Sequence, residues 1–176
     1  VGKTTLCFDL AAHLKRLDLA VDLVKEVARR CPLPINEETT LDAQLWILHS
    51  QVAEEIAAQA MYEVVVCDRS VLDNYAYLVA RIGRRPELDH LVREWIRGYD
   101  ALFKVPVIHA PTFDGKRAVS RQFQLDIDAT IDELVRAFDV PVVHLDPAHR
   151  DGWVPAVLES LALPLEPPQI DLFAES

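Results

Sequence analysis

Methionine is nearly absent from this sequence. The 176 residues hold one, Met61, and none at the start, so Val1 is expected to mark a processing or gene-fragment boundary. Cysteine is sparse and unpatterned: Cys7, Cys31 and Cys67 show no C-x-x-C spacing. They read as reduced thiols of a cytoplasmic protein. Basic charge is in deficit, with 18 Lys and Arg against 28 Asp and Glu and a net charge of −10. Nucleic acid and anionic membranes both select a basic face, so neither is expected as a partner. A local basic pocket for phosphates remains compatible. No apolar run is long enough to span a bilayer, and no secretory leader is visible. The histidines lack metal-binding spacing; His109 and His144 fall within strand-like runs and read as structural imidazoles.

What is present is an ordinary globular composition. Apolar residues make up 51% of a chain long enough for one domain with a proper core. The opening VGKTT matches the second half of a phosphate-binding loop, G-x-x-x-x-G-K-[ST]. In that loop the backbone N–H groups wrap phosphates, the lysine reaches the β- and γ-phosphates, and the hydroxyl binds Mg²⁺. Gly2, Lys3 and Thr4 take those places, and Thr5 adds a hydroxyl near the α-phosphate. The competing reading, a solvated lysine at a helix start, sets a cation against the positive end of the helix dipole. The first glycine of the motif would precede Val1. An apolar strand and that glycine are therefore expected upstream, and without them ATP binding is expected to be severely weakened.

Hydrophobic periodicity orders the rest. Leu6, Leu10, Leu14 and Leu17 predict a helix over 4–17, and LAVDLV (19–24) a strand. A Pro-containing loop, 29–40, leads to a second helix marked by Leu41, Leu45, Leu48, Val52 and Ile56. YEVVVCD (62–68) reads as a strand buried on both faces. Helices are expected over 71–81 and 87–98, then a strand over 102–110, where Pro106 is a poor fit. A helix carrying Ile127, Ile131, Leu134 and Phe138 follows, then a strand over 140–146 and a helix over 152–161. Residues 1–163 read as one domain, and 164–176 as a Pro-rich acidic tail. Strand–helix alternation implies an α/β fold, a doubly wound parallel sheet with helices on both faces and its first strand missing from this chain.

Asp68 ends the 62–68 strand on its carboxyl side, where open α/β sheets bind ligands. A carboxylate there can hold Mg²⁺ directly or through water; alternatively Asp68 or Ser70 caps the next helix. Glu26, also at a strand end, is placed for general-base work or for pairing with Arg29 or Arg30. Lys116, Arg117 and Arg121 form a basic segment suited to a transferring phosphoryl group, or to solvent. Gln44, Trp46, Gln51, Asp73 and Tyr75 are the acceptor-pocket candidates, with Trp46 beside the apolar stripe of its helix.

GKTT, VVVCDRS and DGKRAVSR together resemble P-loop kinases of the nucleoside- and thymidylate-kinase type. KEVARR (25–30), QLWILHSQVAEE (44–55) and DRSVLDNYAYL (68–78) look closer to the NadR-like family, which groups nicotinamide-riboside kinase domains with AAA-type ATP-binding proteins. The resemblance covers nearly the whole chain. It implies ATP and Mg²⁺ as cofactors and phosphoryl transfer to a hydroxyl of a nucleoside-like metabolite. It implies Glu26 as the acid that takes the hydroxyl proton, Arg69 as the arginine steadying substrate or phosphoryl group, and Arg117 and Arg121 as lid residues. Two other readings stay open: a nucleotide-driven switch without a small acceptor, and an inactive fragment. Oligomeric state is not legible.

Overall fold

The computed structural model describes residues 2–106 and 121–166. Helix α1 (Lys3–Arg16) begins directly on Gly2. It turns Leu6, Cys7, Leu10 and Leu14 inward, at the spacing that placed a helix there. Strand β1 (Val21–Val24) follows, then a 3-10 turn at Val27–Arg30 and helix α2 (Leu41–Gln59). Thr40 starts α2 by accepting a side-chain bond from Ala43 N. Strand β2 (Val64–Cys67) leads into α3 (Val71–Ile82), and α4 (Pro86–Ile96) carries proline at its first position. The remaining elements are β3 (Phe103–Lys104), α5 (Arg121–Phe138), β4 (Val143–His144) and α6 (Trp153–Ser160).

All four described strands pair in parallel, as the alternation with helices requires, but in two ribbons and not one sheet. β1 pairs with β2, Val21 opposite Val64 through Val24 opposite Cys67. β3 pairs with β4, Phe103 opposite Val143 and Lys104 opposite His144. The ladder alternation explains what separates them. Val64 N donates to Ala20 O at 3.1 Å and Asp68 N to Val24 O at 2.9 Å, so the backbone groups of Val65 and Cys67 turn away from β1. Val143 N and Leu145 N donate to Leu102 O and Lys104 O, so Phe103 and Val105 turn away from β4. All four outward-turned residues line one cavity of about 830 Å³.

The core has two centres. One joins α2, α3, α4 and α5 through Leu48, Leu72, Tyr75, Leu78, Val92, Leu134 and Phe138. The other packs Leu6, Leu10 and Leu14 of α1 against Val21, Val66, Leu145 and, on α6, Trp153 and Val157. Strand β3 is fastened to α5 by Lys104, whose ammonium lies 3.1 Å from Asp128 and 2.5 Å from Asp132. The expected helices and strands agree with those described to within a few residues. The 107–110 end of the third expected strand, and 167–176 of the expected tail, lie outside the described residues.

Candidate functional site

The site forms where the start of α1 meets the carboxyl end of β2. Gly2 caps α1 without any side-chain bond, and its φ of +108° is open to glycine at little cost. The first N–H groups of a helix have no intrahelical partner, so this end presents free donors and the positive end of the dipole. Asp68 follows β2 and is buried, and Thr4 donates its hydroxyl to Asp68 Oδ2 at 2.7 Å. Burial is the main cause that raises the Asp68 carboxyl above its usual pKa, against the pull of the Thr4 bond and of nearby cations.

Lys3 and Arg69 face a set of carboxylates. Lys3 Nζ is 3.8 Å from Asp73 Oδ1, and Arg69 is 3.9 Å from the same oxygen. Arg69 also donates to Glu26 at 3.1 Å and lies 5.1 Å from the centre of the Tyr77 ring. The Arg69 charge, then burial, holds Lys3 below the usual lysine value. For Asp73 burial works upward, but Lys3, Arg69 and two bonds from Ser70 outweigh it and leave the carboxyl below its usual range. Asp73 also completes the cap of α3: Ser70 Oγ accepts from Asp73 N at 3.1 Å, while Ser70 N donates back to Asp73 Oδ2 at 3.0 Å. Cap and charge cluster thus share one side chain.

Glu26 sits at the end of the β1 segment, bonded by Arg29 at 2.9 Å as well as by Arg69. Glu26 thus pairs with Arg29, and the residue also borders the cavity. Gly2, Lys3, Thr4, Glu26, Asp68, Arg69 and Asp73 all border the same cavity. Of the acceptor-pocket candidates, Gln44 borders it too and is buried, with its amide N bonded to Thr39 Oγ1 at 2.8 Å.

Three acceptor candidates are placed elsewhere. Tyr75 is wholly buried in the helical core, its ring stacked on Phe138 and its hydroxyl held by the Arg85 backbone and Asp89. It sits two residues from Asp73, which on a helix points it to another side. Gln51 is buried behind the site, where its amide N reaches Arg69 O and Glu55, each at 2.8 Å. It braces the loop and does not line the cavity. Trp46 is half-buried on α2 and does not border the cavity either. Thr5 is exposed beside the loop, and Arg121 is exposed at the first turn of α5. Lys116 and Arg117 lie outside the described residues.

Several neighbours were not singled out from sequence. Tyr77 borders the cavity, packs edge-on against Phe123 of α5 and covers Arg69. Its signal was its spacing, four residues beyond Asp73 on the same helix face. Glu55 is fully buried behind Gln51, and the four-residue interval on an otherwise apolar stripe was legible. Arg150 lies against Gly2 from the connection between β4 and α6. Nothing local in the sequence marks it.

A family model described as an AAA domain matches residues 1–151, most of the chain. The chain belongs to the AAA domain family. No curated protein matches it. For an AAA domain of the P-loop NTPase α/β class, nucleotide binding or hydrolysis is the level of function that membership carries. The matched span includes the GKTT loop, Asp68, Arg69 and Arg150. The donor set suits Mg²⁺: one hydroxyl and one carboxylate, the usual few protein ligands when phosphates and water supply the rest. No described helix is long and apolar enough to cross a membrane.

Proposed function

We propose that this AAA domain binds ATP with Mg²⁺ at Gly2–Thr5 and transfers the terminal phosphoryl group to a hydroxyl of a small nucleoside-like metabolite. The observation that carries this is the convergence of Lys3, the Thr4–Asp68 pair and the Arg69–Glu26 pair on one cavity. Lys3 and the first N–H groups of α1 would hold the phosphates. Thr4 and Asp68 would hold Mg²⁺, which supplies charge neutralisation on the transferring oxygens. Glu26 is the base for the acceptor hydroxyl, kept oriented by Arg29 and Arg69. Arg69, clamped between Glu26, Asp73 and Tyr77, steadies the transferred group, with Arg117 and Arg121 as the lid residues. Gln44 and Asp73, with Tyr77, form the acceptor wall.

The slot between β2 and β3 is read as the place of a further parallel strand, which would join the ribbons into the doubly wound sheet expected of residues 1–163. The outward backbone groups of Val65, Cys67, Phe103 and Val105 support that reading. Three free thiols favour a reducing, cytoplasmic setting. The tail 164–176 has no assigned role.

The test is phosphoryl transfer by the full-length protein, offered ATP·Mg²⁺ and a panel of nucleosides. Product on at least one nucleoside, lost in Glu26→Gln, is expected. ATP binding without any acceptor product would refute the kinase. The AAA match supports a second reading, an ATP-hydrolysing switch. Turnover stimulated by a protein partner and indifferent to nucleosides would favour it.

A further inference from the structure

Behind the site lies a buried polar network that the proposed chemistry does not use. Glu55, in the middle of α2, and Gln51, one turn before it, are both fully buried. Neither borders the cavity. The Gln51 amide gives one N–H to Glu55 Oε1 and one to Arg69 O, each at 2.8 Å, and its oxygen takes Asn74 Nδ2 at 3.4 Å. Both partners of its nitrogen are acceptors only, so the amide has a single orientation. Tyr99, beyond α4, accepts Val71 N at 3.0 Å and donates its hydroxyl to Glu55 at 3.0 Å. Burial, then the Glu55 charge, holds the Tyr99 hydroxyl above the usual tyrosine value, so it stays a donor. The Trp95 indole closes the set on Glu55 Oε2 at 2.6 Å.

What this network holds is the connection that carries the site. Only Asp68, Arg69 and Ser70 separate β2 from α3. The Asp68 side chain meets Thr4, and the Arg69 side chain meets Glu26 and Asp73. Along the backbone, Asp68 N is tied to Val24 O and Ser70 N to Asp73. The two remaining ties, at Arg69 O and Val71 N, both lead to Glu55. Stability alone is a poor reason for a carboxylate here, since apolar residues of similar volume often serve a core as well or better. Aim is a better one: ligating side chains keep their geometry through the groups bonded behind them.

We propose that Gln51 and Glu55 are positioning residues for Asp68 and Arg69. They hold the connection at Arg69 O and, through Tyr99, at Val71 N, so that Asp68 stays opposite Thr4 and Arg69 stays on Glu26. The assignment rests on the reading of Thr4 and Asp68 as the Mg²⁺ pair, and it adds the residues that aim that pair.

The experiment uses the full-length protein with Gln51→Met, with Tyr99→Phe, and with each combined with Asp68→Asn. Titration calorimetry with ATP, with and without Mg²⁺, gives the first readout. Binding of ATP without Mg²⁺ is expected to stay within about twofold, as for a site with which the network shares no partner. The factor by which Mg²⁺ tightens ATP binding is expected to fall about tenfold in Gln51→Met, the low end for groups behind a metal ligand. Melting without nucleotide or metal gives the second readout. The change in Tm caused by Asp68→Asn is expected to shrink in the Gln51→Met background, because Asp68 is then no longer held in its buried place. Tyr99→Phe is expected to show both effects more weakly, and it carries the test if Gln51→Met does not fold. An unchanged Mg²⁺ factor would overturn the assignment and leave the nucleotide reading intact. Additive Tm shifts would also overturn it, since the network would then not reach Asp68. Failure of the unaltered protein to bind ATP would refute the nucleotide reading, and this role with it.

Discussion

Replacing Glu55 with glutamine tests whether the buried network behind the site is organised as a full set of accepted bonds. Glu55 is completely buried in the middle of α2. Its Oε1 accepts the Gln51 amide at 2.8 Å and the Tyr99 hydroxyl at 3.0 Å; its Oε2 accepts the Trp95 indole at 2.6 Å and the same hydroxyl at 3.0 Å. Every one of these groups donates. A glutamine of the same shape must turn its NH₂ toward either Gln51 or Trp95, and both are donors. Whichever way it turns, one buried donor loses its acceptor and faces another donor. An orphaned buried donor costs about 1–3 kcal/mol, and charge-assisted bonds exceed neutral ones. The expected loss is about 2–3 kcal/mol, and at about 2–4 °C per kcal/mol for a chain of this size, Tm falls by about 5–10 °C. Urea denaturation should show a lower midpoint with an unchanged slope. The loop should respond as well, because Gln51 also holds Arg69 O. Unchanged or higher stability of Glu55→Gln would refute the reasoning, because the carboxyl would not then be accepting from all three donors.

Three other substitutions probe the site from different sides. Gly2→Ala places a Cβ at positive φ and onto Arg150, so we expect about 1–2 kcal/mol of lost stability together with loss of nucleotide binding, read by calorimetry; unaltered binding would show that neither constraint acts. Asp73→Asn should lower stability at neutral pH, since the lowered pKa of Asp73 means its charged form favours the fold. That contribution is full above the ordinary carboxylate range near pH 4 and disappears as pH falls through the lowered folded value. Asp68→Asn should do the reverse: the raised pKa of Asp68 opposes the fold as pH rises through it, so the variant is more stable at neutral pH. Melting curves from about pH 3 to 7 separate the two; shifts of the same sign in both variants would sink the argument.

The sequence carried the site's first contacts because each sits next to a strong local signal. Gly2–Thr4 open an amphipathic helix, and Asp68 ends an apolar run; strand ends and helix starts converge in any open α/β fold. Asp73 was legible for the same reason, one turn into the helix that Ser70 caps. Tyr75 and Gln51 show where that logic fails. Both lie close in sequence to site residues, but a helix turns about 100° per residue, so proximity along the chain says nothing of direction. The partners of Tyr75 come from α4 and α5, and those of Gln51 from α2, α3 and the loop at Arg69. Arg150 marks the opposite failure: it is 148 positions from Gly2 and touches it only because β4 and α6 return the chain to α1.

Strand identity was legible while sheet continuity was not, and the ladder shows why. An apolar run such as VVVC specifies burial on two faces, which is a property of side chains. Which edge is paired is a property of backbone direction, and composition does not record it. In β2 the alternation commits Val64, Val66 and Asp68 to β1, leaving Val65 and Cys67 facing the slot. In β3 it commits Leu102 and Lys104 to β4, leaving Phe103 and Val105 facing the same slot. A further strand in the slot would give these backbone groups ladder partners, in addition to the 3.9 Å contact that Cys67 O already receives from the Cys7 thiol. Asp68 lies at the end of one slot wall and Gly2 borders the same cavity, so the slot opens where the phosphates are proposed to bind. Pairing these edges should stiffen the helix start that carries Lys3 and Thr4, and nucleotide affinity and sheet closure should rise together.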